Sequence, residues 1–143
     1  EFEKETTESP SKNQSQPSQL RQWPVQMHLI SPKATYFNKR DLILAADCVA
    51  YTIGDFHQRF LSGKRLAIAC PKLDSNKDVY LKKLISLIDE ASINTLTVIT
   101  MQVPCCQGLV HLAKNAVSEA STNIPLKHIM ISIKGEILKD EWI

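Results

Sequence analysis

Met101-Gln102-Val103-Pro104-Cys105-Cys106-Gln107-Gly108 is the stretch whose reading decides the fold. It follows the apolar run Leu96-Thr97-Val98-Ile99-Thr100 and opens a segment in which Leu109, Val110, Leu112, Ala113, Ala116 and Val117 recur at helical spacing. A strand therefore feeds a helix through a turn that carries two thiols. The other two cysteines take similar places: Cys48 closes Leu42-Ile43-Leu44-Ala45-Ala46-Asp47, and Cys70 closes Leu66-Ala67-Ile68-Ala69. Strand-helix-strand order calls for parallel strands joined by right-handed crossovers. The carboxyl ends of such strands share one edge, where open α/β sheets hold their sites. All four cysteines are thus expected along that edge.

Outward from this turn the chain alternates strands and helices. Val25, Met27 and Leu29 alternate with Gln26 and His28, the period of a strand within Trp23–Ile30 that Ser31-Pro32 ends. Thr35–Arg40 reads as a connector, and Leu42–Ala46 as the next strand. Ile53, Phe56, His57, Phe60 and Leu61 fall at helical spacing, with Gly63 placed as a C-terminal cap. Arg65–Ala69 is a third strand. Ser75, with Asp78 three residues on, resembles a capping box for a helix that aligns Leu81, Leu84, Ile85, Ile88 and Ala91. Thr95–Met101 is the fourth strand, the helix after the cysteine pair runs to about Ala120, and Leu126–Ile133 is the fifth. Lys134–Ile143 is too short for a further unit, although Gly135 permits a turn and Trp142 and Ile143 can pack on the sheet edge. The expected fold is α/β: a three-layer, open, mostly parallel sheet of about five strands with helices on both faces.

Composition narrows the class. Residues 1–19, EFEKETTESPSKNQSQPSQ, hold too little apolar surface to offset the entropy of ordering, so they read as a disordered linker or tail. Residues 20–143 form the single α/β domain. The chain does not begin with Met, which suggests a longer protein upstream. A formal net charge of +2, with Lys and Arg scattered, gives no nucleic-acid footprint. No apolar run reaches the roughly 18 residues of a membrane span, and no signal peptide opens the chain. Four cysteines beside buried-type strands speak against a secreted disulfide scaffold and for a reducing cytoplasm.

The four glycines, Gly54, Gly63, Gly108 and Gly135, make neither a dinucleotide-binding nor a P-loop pattern. An unusual phosphate site near Gln107-Gly108 stays open. Thiolates at helix starts are stabilised by the peptide dipoles, and soft sulfur selects iron–sulfur clusters, zinc or copper(I). Cys48, Cys70, Cys105 and Cys106 are the candidate ligands, with a 4Fe-4S cluster or zinc as cofactor and His57 as a weaker candidate ligand. A single cysteine at a strand end more often just packs as a small residue, and it is four at equivalent ends, two of them adjacent, that point to a ligand or redox role. Asp47 and Asp74 lie near the thiols, Asp74 also fitting turn chemistry. His28, His111 and His128 have no neighbours in sequence that mark them out. No nucleophile–base pattern of a hydrolase is visible.

Four stretches, QLRQWPVQMHLISP (19–32), ADCVAYTIGDFHQRFLSGKRLAIACPKLD (46–74), INTLTVITMQVPCCQGL (93–109) and IKGEILKDEWI (133–143), together resemble the C-terminal domain of bacterial and archaeal 4Fe-4S dicluster ferredoxin-type proteins. That resemblance implies an N-terminal ferredoxin module in the full-length chain, with closely spaced C-x-x-C-x-x-C ligands absent from these residues. It also implies a redox partner protein and an electron-transfer context rather than an enzyme. Two functions follow as expectations. One is an iron–sulfur or other thiolate–metal domain of a ferredoxin-like electron-transfer protein; the other is a noncatalytic docking module that positions the ferredoxin module against its partner.

Overall fold

The computed structural model describes residues 15–143, the Cys105 side chain excepted. Most of the expected linker, residues 1–14, lies outside the described residues. Five strands form one sheet: β1 (Leu42–Ala46), β2 (Arg65–Ala69), β3 (Leu96–Met101), β4 (Leu126–Ile131) and β5 (Ile137–Trp142), in the order β2-β1-β3-β4-β5. The first four are parallel and β5 is antiparallel to β4. β1 and β3 are buried along their whole length, which is why they read as continuous apolar runs rather than alternating ones.

Helices cover both faces. α1 (Val49–Thr52) and a π-helical turn (His57–Leu61) join β1 to β2, α2 (Lys77–Asp89) joins β2 to β3, and α3 (Gln107–Glu119) joins β3 to β4. α2 and α3 pack together on one face, and the α1 connection takes the other. Tyr80, Leu84, Leu87 and Ile88 of α2, and Leu109, Ala113 and Ala116 of α3, are the buried stripes. Asp89 fastens the end of α2 to the loop after α3 by accepting the Ser121 and Thr122 N–H groups at 3.0 and 2.9 Å.

Several local expectations are revised. The expected strand over Trp23–Ile30 contributes only one parallel bridge, Gln26 to Ile68. Pro24 has no N–H to give, and the Leu29 and Ile30 N–H groups fold back onto the Gln26 carbonyl. The helix expected after Cys48 is two short pieces, because Ile53 is extended (φ −98°, ψ 113°). The capping box of α2 does not form. Asn76 precedes that helix in the left-handed region at φ 56°, with no side-chain cap, and the Ser75 carbonyl is taken by His28 Nε2 at 2.7 Å. The tail read as too short for a unit is β5. Its turn is built on Ser132, whose hydroxyl accepts the Lys134 and Glu136 N–H groups, and on Gly135 at φ 85°.

Two glycines separate backbone freedom from close approach. Gly63 (φ 76°) has open space around a built Cβ, whereas a Cβ on Gly135 would lie 2.7 Å from the Thr52 carbonyl oxygen at the end of α1. Gly63→Ala is expected to cost about 1 kcal/mol, the left-handed penalty alone. Gly135→Ala adds a backbone clash and should cost about 2–3 kcal/mol. Chemical denaturation of the two variants checks the order, and equal losses would show that the Gly135–Thr52 contact is slack.

Candidate functional site

β2, β1 and β3 are adjacent and parallel, so the segments that carry Cys70, Cys48 and the Cys105–Cys106 pair leave neighbouring strands at one edge. After β1 the chain turns to one face, and after β2 and β3 to the other, which opens a crevice between the β1 and β3 ends. Cys48, just before α1, is exposed; Cys70 is half-buried; Cys106, just before α3, is buried. Gly108 brings two of these segments together. A Cβ built there would lie 3.1 Å from the Pro71 side chain, so the Cys70–Pro71 turn rests on the first turn of α3 beside Cys106. Cys105 belongs to the 3-10 turn Pro104–Cys106, and its side chain is outside the described residues. Among the described residues, no three His, Cys, Asp or Glu side chains are grouped to hold a metal ion. His57 is engaged elsewhere, its Nδ1 accepting the Gln19 N–H at 2.9 Å.

Carboxylates organise the same edge. Asp74 Oδ2 accepts hydrogen bonds from the Tyr80 hydroxyl (2.5 Å), the Cys70 N–H (2.9 Å) and the Gln26 amide (3.2 Å). Burial works to raise the Asp74 carboxyl, but those bonds and the nearby His28 hold it below its usual value. Tyr80 is fully buried; that burial and its bond to Asp74 push its hydroxyl up to about 12. Asp47 is the counterpart that lacks support. Its Oδ1 is buried without a hydrogen-bond partner among the described residues, and burial, then the charge of Asp74, raises its carboxyl.

A hollow of about 210 Å³ lies between the carboxyl ends of β3 and β4 and the first turns of α3. Val103, Pro104, Val110 and Met130 give it apolar walls; Thr100, Gln102, Gln107 and His128 supply polar groups. His128 is only 6% exposed, and one ring nitrogen, Nε2, pairs with the Thr100 hydroxyl at 2.9 Å. Its other ring nitrogen has no hydrogen-bond partner among the described residues. Burial lowers the His128 pKa, helped by Lys139 and Lys114 and opposed by Glu141, so the ring is neutral near pH 7. His128 carried no mark in the sequence beyond being a polar residue inside the apolar run of β4. A larger hollow, about 400 Å³, opens on the opposite face, lined by Phe60, Thr97, Ile129 and Trp142. Its polar groups are largely paired: Lys127 with Asp140 at 2.8 Å, and Thr95 with Asp41 at 2.8 Å.

A family model described as a Rossmann-like domain matches residues 34–143. The chain belongs to the Rossmann-like domain family. An uncharacterized protein of Archaeoglobus fulgidus is similar to it, 29% identical over 119 residues that cover 83% of each chain. No solved structure matches. The expected membership of the 4Fe-4S dicluster ferredoxin-type family is corrected by these matches, neither of which is to a ferredoxin. Turns such as Val-Pro-Cys-Cys and Cys-Pro-Lys-Leu-Asp end strands of a Rossmann-like sheet, and their likeness to the ferredoxin-type pattern misled. The Rossmann-like domain has no helix among its described residues long and apolar enough to cross a membrane.

The two carboxylates should respond oppositely to acid. Asp47, raised above 3.8, binds its proton more tightly when folded, so it lowers stability as pH rises through 3.8 and its full cost stands above the folded value. Asp47→Asn should therefore stabilise the domain by about 1 kcal/mol at neutral pH, with the gain vanishing in acid. Asp74, depressed below 3.8, contributes stability present above 3.8 and lost as pH falls through its folded value. Tyr80→Phe should cost about 1–2 kcal/mol at neutral pH and less once Asp74 is protonated. Thermal unfolding of both variants between strongly acid and neutral pH tests the signs.

Proposed function

We propose that this Rossmann-like domain is a noncatalytic binding module that takes a small monocarboxylate with an apolar body in the hollow between β3, β4 and α3. The observation that carries this reading is His128: a nearly buried imidazole with one nitrogen bound to Thr100 and the other without a partner among the described residues, lining a hollow at the carboxyl edge. An apolar cavity of about 150 Å³ admits benzene, so a volume of about 210 Å³ suits a benzoate-sized guest. Lys114 and Lys139 act on the same imidazole, a field that favours an anion. The start of α3 adds its N-terminal dipole. Glu141, opposite His128 in the ladder, has its carboxylate 3.7 Å from Lys139 and makes no hydrogen bond to the ring. Thr100 and His128 therefore lack the third group that would orient a catalytic base.

A second reading rests on the Cys70–Pro71 turn seated beside Cys106. In it, Cys48, Cys70, Cys105 and Cys106 bind a soft metal, as an iron–sulfur cluster or as zinc. Thiols kept for such a role suit the reducing cytoplasm. Anaerobic reconstitution followed by iron, sulfide and zinc analysis decides it, and a colourless, metal-free protein would remove it.

Titration with benzoate, benzamide and toluene tests the first reading. Benzoate should perturb the His128 ring resonances in NMR and raise its pKa, since a bound anion favours the imidazolium. Its affinity should accordingly increase as pH falls toward the His128 pKa. His128→Ala should weaken binding about tenfold, the value of a hydrogen bond to a charged group. Silence of the His128 resonances toward all three compounds would sink the proposal.

A further inference from the structure

β5 is the antiparallel edge of the sheet, and all six of its residues are exposed. Much of it is apolar: Leu138 is 48% exposed, Trp142 59%, and Ile143 just beyond it 45%. An edge strand offers a row of unpaired N–H and C=O groups to any second strand, and folded proteins blunt or cover such edges. The direction of those groups follows from the ladder. The Ile143 N–H donates to the Leu126 carbonyl at 2.8 Å, and the register sets Glu141 opposite His128 and Asp140 opposite Ile129. Backbone groups alternate in direction along an antiparallel strand. Ile143 and Glu141 therefore turn theirs toward β4, while Asp140 and Trp142 turn theirs outward.

A twofold axis pairs such a strand antiparallel with itself, and a ladder forms only where outward groups meet outward groups. Centring the axis on Lys139 sets that lysine against its own copy, and centring on Glu141 does the same for the glutamate. Both registers stack like charges. Centring on Asp140 sets each Lys139 opposite the partner's Glu141, while Leu138 lies at the register shift opposite Met130 and Ile131, outside the regular part of the strand. The two Asp140 carboxylates then meet at the axis, each already held by its own Lys127 at 2.8 Å. Each of the three axes stacks one like pair, and only this register adds two opposite-charge pairs, so charge complementarity favours it. The geometry points to a homodimer in which the β5 strands of two copies pair antiparallel about Asp140, joining two sheets into one. It gives the outward backbone groups of Asp140 partners and re-pairs Lys139 and Glu141, which in one chain stand 3.7 Å apart.

Sedimentation velocity of the full chain, from low to high micromolar loading, tests the dimer. The wild type should self-associate, and Lys139→Glu should weaken the association at least about tenfold by turning two attractive cross-strand pairs repulsive. Glu141→Lys should do the same and serves if the first variant fails to fold, which circular dichroism monitors. The exchange Lys139→Glu/Glu141→Lys should restore the dimer. A chain monomeric at every concentration overturns the proposal, as does a dimer indifferent to either reversal or one that the exchange does not restore.

Discussion

Burial of β1 on both faces is the constraint on which the rest depends. Leu42–Ala46 lies between β2 and β3 with every residue buried, so its backbone groups find partners in two parallel neighbours and its side chains need a layer on each face. One connection must then supply the first layer and the other two the second. With right-handed crossovers that demand sends the chain to one face after β1 and to the other after β2 and β3. The crevice at the carboxyl edge follows from covering a central strand, before any ligand is considered.

The polar groups at this carboxyl edge are handled unequally. Asp74 gathers three donors from three separate segments: Tyr80 on α2, the Cys70 backbone at the end of β2, and Gln26 on the strap beside β2. It serves as the joint where the N-terminal strap, the β2 turn and α2 meet. Lys83 ties the same strap from another point, donating to the Met27 and His28 carbonyls at 2.8 and 2.9 Å. Asp47, one strand over, has a buried oxygen with no donor among the described residues. A carboxylate left this way lowers stability where its neighbour raises it.

The sequence made the central sheet legible because β1 and β3 are buried on both faces, and two-sided burial writes itself as an uninterrupted apolar run. α2 and α3 were legible from their stripes. Elements whose partners are distant were not. Whether Trp23–Ile30 joins the sheet depends on where the Gln26 carbonyl finds donors, and they come from Leu29 and Ile30. β5 has no alternation to show, since every residue of it is exposed. The cysteines were legible as strand ends, and their strands are neighbours. Their depth was not: Cys48 is exposed while Cys106 is buried.

His128 shows how a site can be hidden by the same cause. Nothing local marks it; its character comes from Thr100 on the preceding strand and from Lys139 and Glu141 on the following one. Had the last residues formed another crossover helix, an apolar stripe would cover the β4 edge, as α2 and α3 cover β1 and β3. Gly135 turns them back instead, close against the Thr52 carbonyl, and β5 lays charged side chains beside the imidazole. Burial keeps this histidine neutral, and closing the sheet with an antiparallel strand adds Lys139, which acts with burial, and Glu141, which opposes it. The segment least readable in the sequence thus adds its charges to an imidazole whose state burial governs first.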